Sequence, residues 1–103
     1  MLKICVFVPE SAADKVKQAL FAAGAGKIGA YDCCCWQTLG QGQFRPLSGS
    51  SPTIGQYDKI ETVAEYRIEM VCDEACIEDA IAALKRSHPY EEPAYDVYRL
   101  KDF

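Results

Sequence analysis

Hydrophobic residues recur along the chain with two different periods, and these predict strands and helices. The run from Leu2 to Val8 is rich in β-branched and aromatic residues, which predicts a buried strand. A helical period follows, for which Ser11 is the expected N-cap, Asp14 its capping-box partner and Gly24 the stop. The apolar stripe of this helix is Ala13, Val16, Leu20 and Ala23.

The rest of the chain continues this alternation. Residues 30–39 predict a second strand and residues 60–72 a third, whose side chains alternate between the two faces of the sheet. Asp73 is the expected N-cap of a second helix, which ends before Pro89 because the residue before a proline avoids helical geometry. Residues 94–100 predict the last strand. The inward positions of the second helix are Ile77, Ala80, Ile81 and Leu84.

The order strand–helix–strand–strand–helix–strand predicts an α+β fold, the ferredoxin-like βαββαβ sandwich, as one domain over residues 1–103. Both helices then cover one face of an antiparallel or mixed sheet. The bare face and the strand edges favour oligomerisation, which would cover them. Between strands 2 and 3, residues 40–55 make a long excursion rich in glycine and proline, with a short strand at residues 43–45. Excursions of this length are typically functional, interfacial or disordered.

Charge and composition argue against a nucleic-acid partner and against insertion into a membrane. Eleven Lys and Arg residues are scattered among fifteen Asp and Glu residues, and the net charge of −4 argues against nucleic-acid binding. The apolar run at the N-terminus ends at Pro9, too early for a signal peptide, and no stretch is long enough to span a membrane. We therefore expect a cytoplasmic protein whose six cysteines stay reduced instead of forming disulfides.

Two glycine-rich segments resemble phosphate-binding motifs. GAGKIG, residues 24–29, has the dinucleotide spacing, but it follows a helix instead of opening one, so it predicts a helix stop and a tight turn. Residues 40–55 offer backbone N–H groups to an anion but lack the Gly-Lys-Ser/Thr of a P-loop. This segment is interpreted either as a small-anion site or as a structural or subunit-contacting loop.

The segment HPYEEP, residues 88–93, holds the one histidine of the chain. His88 and Glu91 are a reasonable pair of metal ligands, and they are also able to act as acid and base. The same residues are typical of a structural turn or of an interface. The sequence leaves these three interpretations open.

Three consecutive cysteines lie in YDCCCW, residues 31–36. On the predicted second strand, Cys33 and Cys35 point to one face and Cys34 to the other, so one ion cannot bind all three. A disulfide between neighbours is strained, and the chain has no C-x-x-C pair of the kind that binds structural zinc. Cys5 and Cys76 lie in apolar patterns and are expected to be small core residues.

Three motifs together resemble the insert domain of the Nif-three-like family: GxGxIGxY from Gly24, GxGxFxPxxGxxPxIG from Gly40, and HPYEEPAYD from His88. Full-length members of that family carry a dinuclear metal site in the two halves that flank the insert, and the chain resembles the short stand-alone versions. A hydrolase or cyclohydrolase label therefore does not transfer. HPYExP is also similar to the copper-tolerance protein CutA, which shares the ferredoxin-like architecture with the PII proteins. The resemblance implies a CutA/PII-like homo-oligomer, a trimer or a hexamer.

The resemblance also raises a question about Cys33, because the family often has a histidine there. If that histidine helps His88 to bind a metal, Cys33 is a softer ligand in its place; if it only packs, the change has no effect. We expect a non-enzymatic binding or regulatory domain that holds a divalent or soft metal ion, or a small anion, between subunits. The expected metal ligands are Cys33, Cys34, His88 and Glu91.

Two alternative functions carry their own expectations. An interaction module without a ligand would dock on an unknown partner protein through the long loop, and deletion of residues 41–51 should abolish that interaction while sparing the oligomer. A small metal-dependent hydrolase would lose turnover on His88→Ala while keeping its fold. The hydrolase is the weaker alternative, because the sequence does not assemble a nucleophile, a base and an oxyanion site.

Overall fold

The computed structural model describes residues 1–103, and its helices and strands follow the predicted order. Each helix is preceded by a short 3-10 turn, at Glu10–Ala12 and Glu74–Cys76. The elements are β1 (Leu2–Pro9), α1 (Ala13–Ala22), β2 (Trp36–Phe44), β3 (Glu61–Cys72), α2 (Ile77–Ser87) and β4 (Tyr95–Arg99). No helix of the chain has both the length and the apolar content that a membrane crossing requires.

The four strands form one antiparallel sheet in the order β2-β3-β1-β4. β1 lies in the middle, with Ile4 paired to Met70 of β3 and to Val97 of β4. Two split strand–helix–strand units side by side give this order, so the predicted ferredoxin-like α+β fold is confirmed. The edges of the sheet are β2 and β4, and each has one side without a strand partner within the chain.

The core lies between one face of the sheet and the two helices. Ile4, Val6 and Val8 alternate along β1, and burial of side chains of this size stabilises the fold by about 1.5–3 kcal/mol each. The predicted stripes of both helices pack against these residues, with Ala23, Ile77 and Ile81 only partly buried. The other members of the cluster are Ala13, Val16, Leu20, Ala25, Ile68, Met70, Cys72, Ala80 and Leu84.

The second face of the sheet has no helix over it. Alternation along β1 places Cys5 there with Phe7, paired in register with Glu69 and Arg67 of β3. Cys5 is buried, as predicted, yet it lies outside the apolar cluster and close to charged side chains. The chain exposes 6722 Å², whereas a compact monomer of 11.4 kDa exposes about 5,800 Å². The molecule therefore leaves more surface uncovered than its mass requires.

The start of the first helix differs from the prediction. Ser11 lies inside the 3-10 turn that follows Pro9, so the N-cap of α1 is Ala12, which makes no side-chain capping bond. The capping box of Ser11 and Asp14 was therefore wrong, because the chain turns directly out of the strand. The predicted N-cap of the second helix is confirmed in part: the Asp73 carboxylate accepts a bond from the Ala75 N–H at 3.0 Å, but it caps the 3-10 turn that leads into α2, whose own N-cap is Cys76.

The second strand begins later than predicted, at Trp36 instead of residue 30. Residues 31–35 lie in a turn in which Cys33 has a positive φ of 54°, so the strand alternation expected for the three cysteines was wrong. Glycines at 24, 26 and 29 also take positive φ, which confirms the predicted tight turn. Residues 43 and 44 of the expected short strand are the end of β2, and the excursion before β3 covers residues 45–60.

Candidate functional site

The segment 88–93, here called the histidine turn, is held by its one histidine. His88 is 6% exposed, and its Nε2–H donates to the Phe7 carbonyl at 2.8 Å. Its Nδ1 accepts the Tyr90 N–H at 3.1 Å. A carbonyl only accepts and an N–H only donates, so these two partners require the neutral ring with its proton on Nε2. His88 ties the histidine turn to β1.

Burial lowers the pKa of His88 below its usual value, and the bond to the Phe7 carbonyl only partly opposes this. Protonation would set an Nδ1–H against the Tyr90 N–H. A metal ion at Nδ1 would likewise have to displace that N–H. The arrangement therefore favours a structural histidine over an acid, a base or a ligand within one chain.

Tyr90 links the histidine turn to the open face of the sheet. Its hydroxyl donates to Oε2 of Glu65 at 3.0 Å, and its ring lies 4.9 Å from the His88 ring and 6.1 Å from the Phe44 ring. Burial, followed by the Glu65 carboxylate, raises the pKa of Tyr90 to about 12. The phenol is therefore neutral and serves as a donor.

The excursion between β2 and β3 folds back onto the histidine turn. The Ser51 N–H donates to Oε1 of Glu91 at 3.1 Å, and the Thr53 hydroxyl donates to the Pro89 carbonyl at 2.9 Å. Within the excursion, the Asp58 N–H donates to the Pro46 carbonyl at 2.8 Å. Glu91, a predicted metal ligand, therefore accepts a bond from the loop backbone.

A cavity of about 390 Å³ lies between the excursion, the histidine turn and the end of the open sheet face. Glu65 lies over Gly42 of β2, where a Cβ atom would collide with its carboxylate. The glycine therefore makes room for the acidic side chain. Residues that line the cavity include Phe7, Phe44, Arg45, Leu47, Glu65 and Tyr90.

The segment 24–35, here called the cysteine turn, is held by backbone atoms. The Gly26 N–H donates to the Val71 carbonyl and the Cys34 N–H donates to the Gly26 carbonyl, both at 2.8 Å. Cys33 is exposed, and reduced hydration in the turn, followed by the Asp32 carboxylate, raises the pKa of its thiol. A raised pKa keeps the thiol protonated, so the turn does not activate it.

The four predicted ligands lie in two separate turns. Cys33 and Cys34 are in the cysteine turn, and His88 and Glu91 are in the histidine turn. The chain has no group of three or more His, Cys, Asp or Glu side chains placed to hold a metal ion. The residues of one chain therefore do not fit a metal, and a site formed by all four stays a prediction that requires a second subunit.

Sequence reasoning missed Glu65, which meets Tyr90 only through the register of the sheet. Gly40 pairs with Glu65, and Gly42 lies two positions further along β2. Two glycines within a strand mark a close approach of other groups to the backbone. They were the one signal in the sequence that could have indicated a side chain lying over β2.

The fold is that of the CutA and PII proteins. CutA1 from Pyrococcus horikoshii superposes with a TM-score of 0.72 and 19% identity, covering all of this chain and 86% of that one. GlnK from Bacillus subtilis, solved with ATP, superposes with a TM-score of 0.62 and 13% identity, covering 97% of this chain and 82% of that one. These likenesses establish the architecture alone.

Relatives at higher identity are longer proteins. The chain is 45% identical over 100 residues to the GTP cyclohydrolase 1 type 2 homolog of Halalkalibacterium halodurans, covering 97% of this chain and 27% of that protein. A Bacillus cereus protein related to NIF3 superposes with a TM-score of 0.84 and 40% identity, over 98% of this chain and 26% of that one. No family model matches the sequence. The chain thus spans about a quarter of the length of these relatives, and its resemblance to the Nif-three-like family is confirmed over that segment.

Proposed function

We propose that the chain is a non-enzymatic homo-oligomeric binding domain, a trimer or a pair of trimers, in which copies cover one another's open sheet face and strand edges. The observation that carries this proposal is the one-sided sheet. Both helices pack on one face, while the other face has no helix over it and neither edge strand has a second strand partner within the chain.

Exposed apolar side chains on both edge strands support the proposal that these edges contact other copies of the chain. Trp36 is 63% and Leu39 is 54% exposed on the β2 edge, and Tyr98 is 47% exposed on the β4 edge. β2 has nine residues and no proline or lysine, the residues that commonly protect a sheet edge from pairing. An edge of this kind is suited to pairing with another chain.

Two further parts of the proposal rest on the cysteines and on His88. Six free cysteines fit a reducing compartment, so we place the domain in the cytosol. His88 is held neutral by two backbone partners, which argues against acid or base catalysis at the histidine turn.

Sedimentation over a wide range of protein concentration tests the oligomer. We expect a mass three or six times that of the 11.4 kDa chain. Trp36→Glu places a charge on the β2 edge and should lower that mass. Ala82→Glu, on the exposed side of α2, adds the same charge to the helical layer and should leave it unchanged. A monomer at every concentration would overturn the assignment.

The predicted metal site is a separate proposal that depends on the oligomer. Cys33 and Cys34 of one subunit would have to meet His88 or Glu91 of another, and His88 would first have to release the Tyr90 N–H. Native mass spectrometry with and without chelator tests this. A stoichiometric ion lost in Cys33→Ser supports the site, and an oligomer that stays free of metal after loading with zinc or copper rejects it.

A further inference from the structure

The cavity beside the histidine turn has the dimensions of a small-molecule site. Its volume of about 390 Å³ lies within the range of roughly 300–1,000 Å³ that such sites occupy. The hydrogen bonds of Ser51 and Thr53 to the histidine turn hold its outer wall in place. It is therefore formed within one chain and does not require an oligomer.

The walls of this cavity are largely aromatic and aliphatic. The rings of Phe44 and Tyr90 lie 6.1 Å apart at an interplanar angle of 53°, and Phe7 and Leu47 also line the space. Tilted rings of this kind offer π-electron faces and edges to a bound group. Such walls suit a flat, apolar body and attract a cation placed over a ring.

Carboxylates outnumber cations around the cavity. Glu65, Glu91 and Glu92 line it, and Arg45 is its one basic residue. Oε2 of Glu65 accepts the Tyr90 hydroxyl, while Oε1 has no donor within the chain. Glu65 is half-buried, and a carboxylate oxygen without a donor gains most from a charged N–H, because charge-assisted hydrogen bonds are about twice as strong as neutral ones.

We propose that this cavity binds a small organic cation with a planar or aromatic body, an amidinium or an amine, whose N–H group donates to Glu65. The body of the ligand packs against Phe44 and Tyr90, and the surplus of carboxylates repels anions. The site uses none of the cysteines and does not rest on the oligomeric state.

Three probes of similar shape and different charge test the site on the full chain: benzamidine, benzamide and benzoate. In NMR titrations we expect benzamidine to give saturable shifts at Phe44, Glu65 and Tyr90. Benzamide should bind about tenfold more weakly, since it lacks the charge, and benzoate should not bind. Equal binding of all three probes, or no saturable binding of benzamidine, would overturn the proposal.

A matched pair of variants assigns the binding to Glu65. Glu65→Gln keeps an acceptor for the Tyr90 hydroxyl but removes the charge, so benzamidine affinity should fall about tenfold. Glu69→Gln makes the same change four residues further along the same face of β3, outside the cavity, and should leave the affinity unchanged. Unchanged affinity in Glu65→Gln rejects the site. Sedimentation of the same samples keeps this result separate from that on the oligomer.

Discussion

The cysteine turn and the histidine turn each follow a helix and carry reactive residue types, but they are held in opposite ways. Backbone bonds of Gly26 and Cys34 fix the cysteine turn, and the side chains of Cys33 and Cys35 are left exposed. Side chains of His88, Tyr90 and Glu91 fix the histidine turn. A turn held by its backbone tolerates changes of side chain, whereas a turn held by side chains does not.

The largest effect is expected for His88→Ala. The substitution leaves the Phe7 carbonyl and the Tyr90 N–H without partners and opens a space at a buried position. We expect the free energy of unfolding to fall by about 3 kcal/mol. Urea denaturation measures this. Cys33→Ser is the counterpart in the cysteine turn and should change stability by less than about 0.5 kcal/mol; equal losses in the two variants would remove the distinction between the turns.

In the cysteine turn, the sensitive position is a glycine. Gly26 has a φ of +79°, and a Cβ there would lie 2.8 Å from the Phe21 ring and 3.0 Å from the Cys34 carbonyl oxygen. Gly26→Ala should therefore cost about 2 kcal/mol. Gly29 also has a positive φ, but a Cβ there would contact no other atom, so Gly29→Ala should cost only about 1 kcal/mol. A loss in Gly29→Ala as large as that in Gly26→Ala would show that contact with Phe21 is not the cause.

The histidine turn should also make stability depend on pH. The pKa of His88 is lowered in the folded chain, so full stability is present above the unfolded value of 6.5. As the pH falls below that value, the unfolded chain binds the proton first, and stability drops by up to about 1.4 kcal/mol per pH unit until the folded pKa is reached.

Urea titrations between about pH 7 and pH 5 measure this dependence. The carboxylates contribute to the pH dependence in both proteins, so the difference between the wild type and His88→Gln gives the contribution of the histidine alone. An identical pH dependence in the two proteins would show that the pKa of His88 is the same in the folded and the unfolded chain.

The sequence predicted the layers of this fold better than its turns. The hydrophobic periods that include Val6 and Val8 on β1 and Leu84 on α2 reflect burial of these residues in one core. Such a period is visible within a short stretch of sequence, so it predicts the element without knowledge of the rest of the fold. The start of β2 was placed six residues early, because residues 30–35 have strand-like composition but take backbone angles that composition does not reveal. The bond between Tyr90 and Glu65 joins residues 25 positions apart and depends on the register of the sheet.

A smaller effect is expected for Tyr90→Phe, which removes one hydroxyl and keeps the ring. Loss of the bond to Glu65 should lower the free energy of unfolding by about 1 kcal/mol. The chain has six tyrosines, and in absorbance titrations the one with a pKa of about 12 should disappear in this variant. Tyr98→Phe, at an exposed position of β4, should change neither the free energy of unfolding nor the titration. If the pKa of about 12 were lost in Tyr98→Phe and kept in Tyr90→Phe, the assignment of the raised pKa to Tyr90 would be wrong.

The smallest effect returns to the cysteine turn and has the opposite sign. Cys33 has a φ of 54°, which costs a residue with a Cβ about 1 kcal/mol, so Cys33→Gly removes this cost while the unfolded chain gains some entropy. We expect stability to stay level or to rise by a few tenths of a kcal/mol. Cys35→Gly, also exposed but at negative φ, has only the entropy change and should lose about 0.5 kcal/mol. If Cys33→Gly were the less stable of the two, the Cys33 side chain would have a role in holding the turn, and the contrast with the histidine turn would fail at this residue.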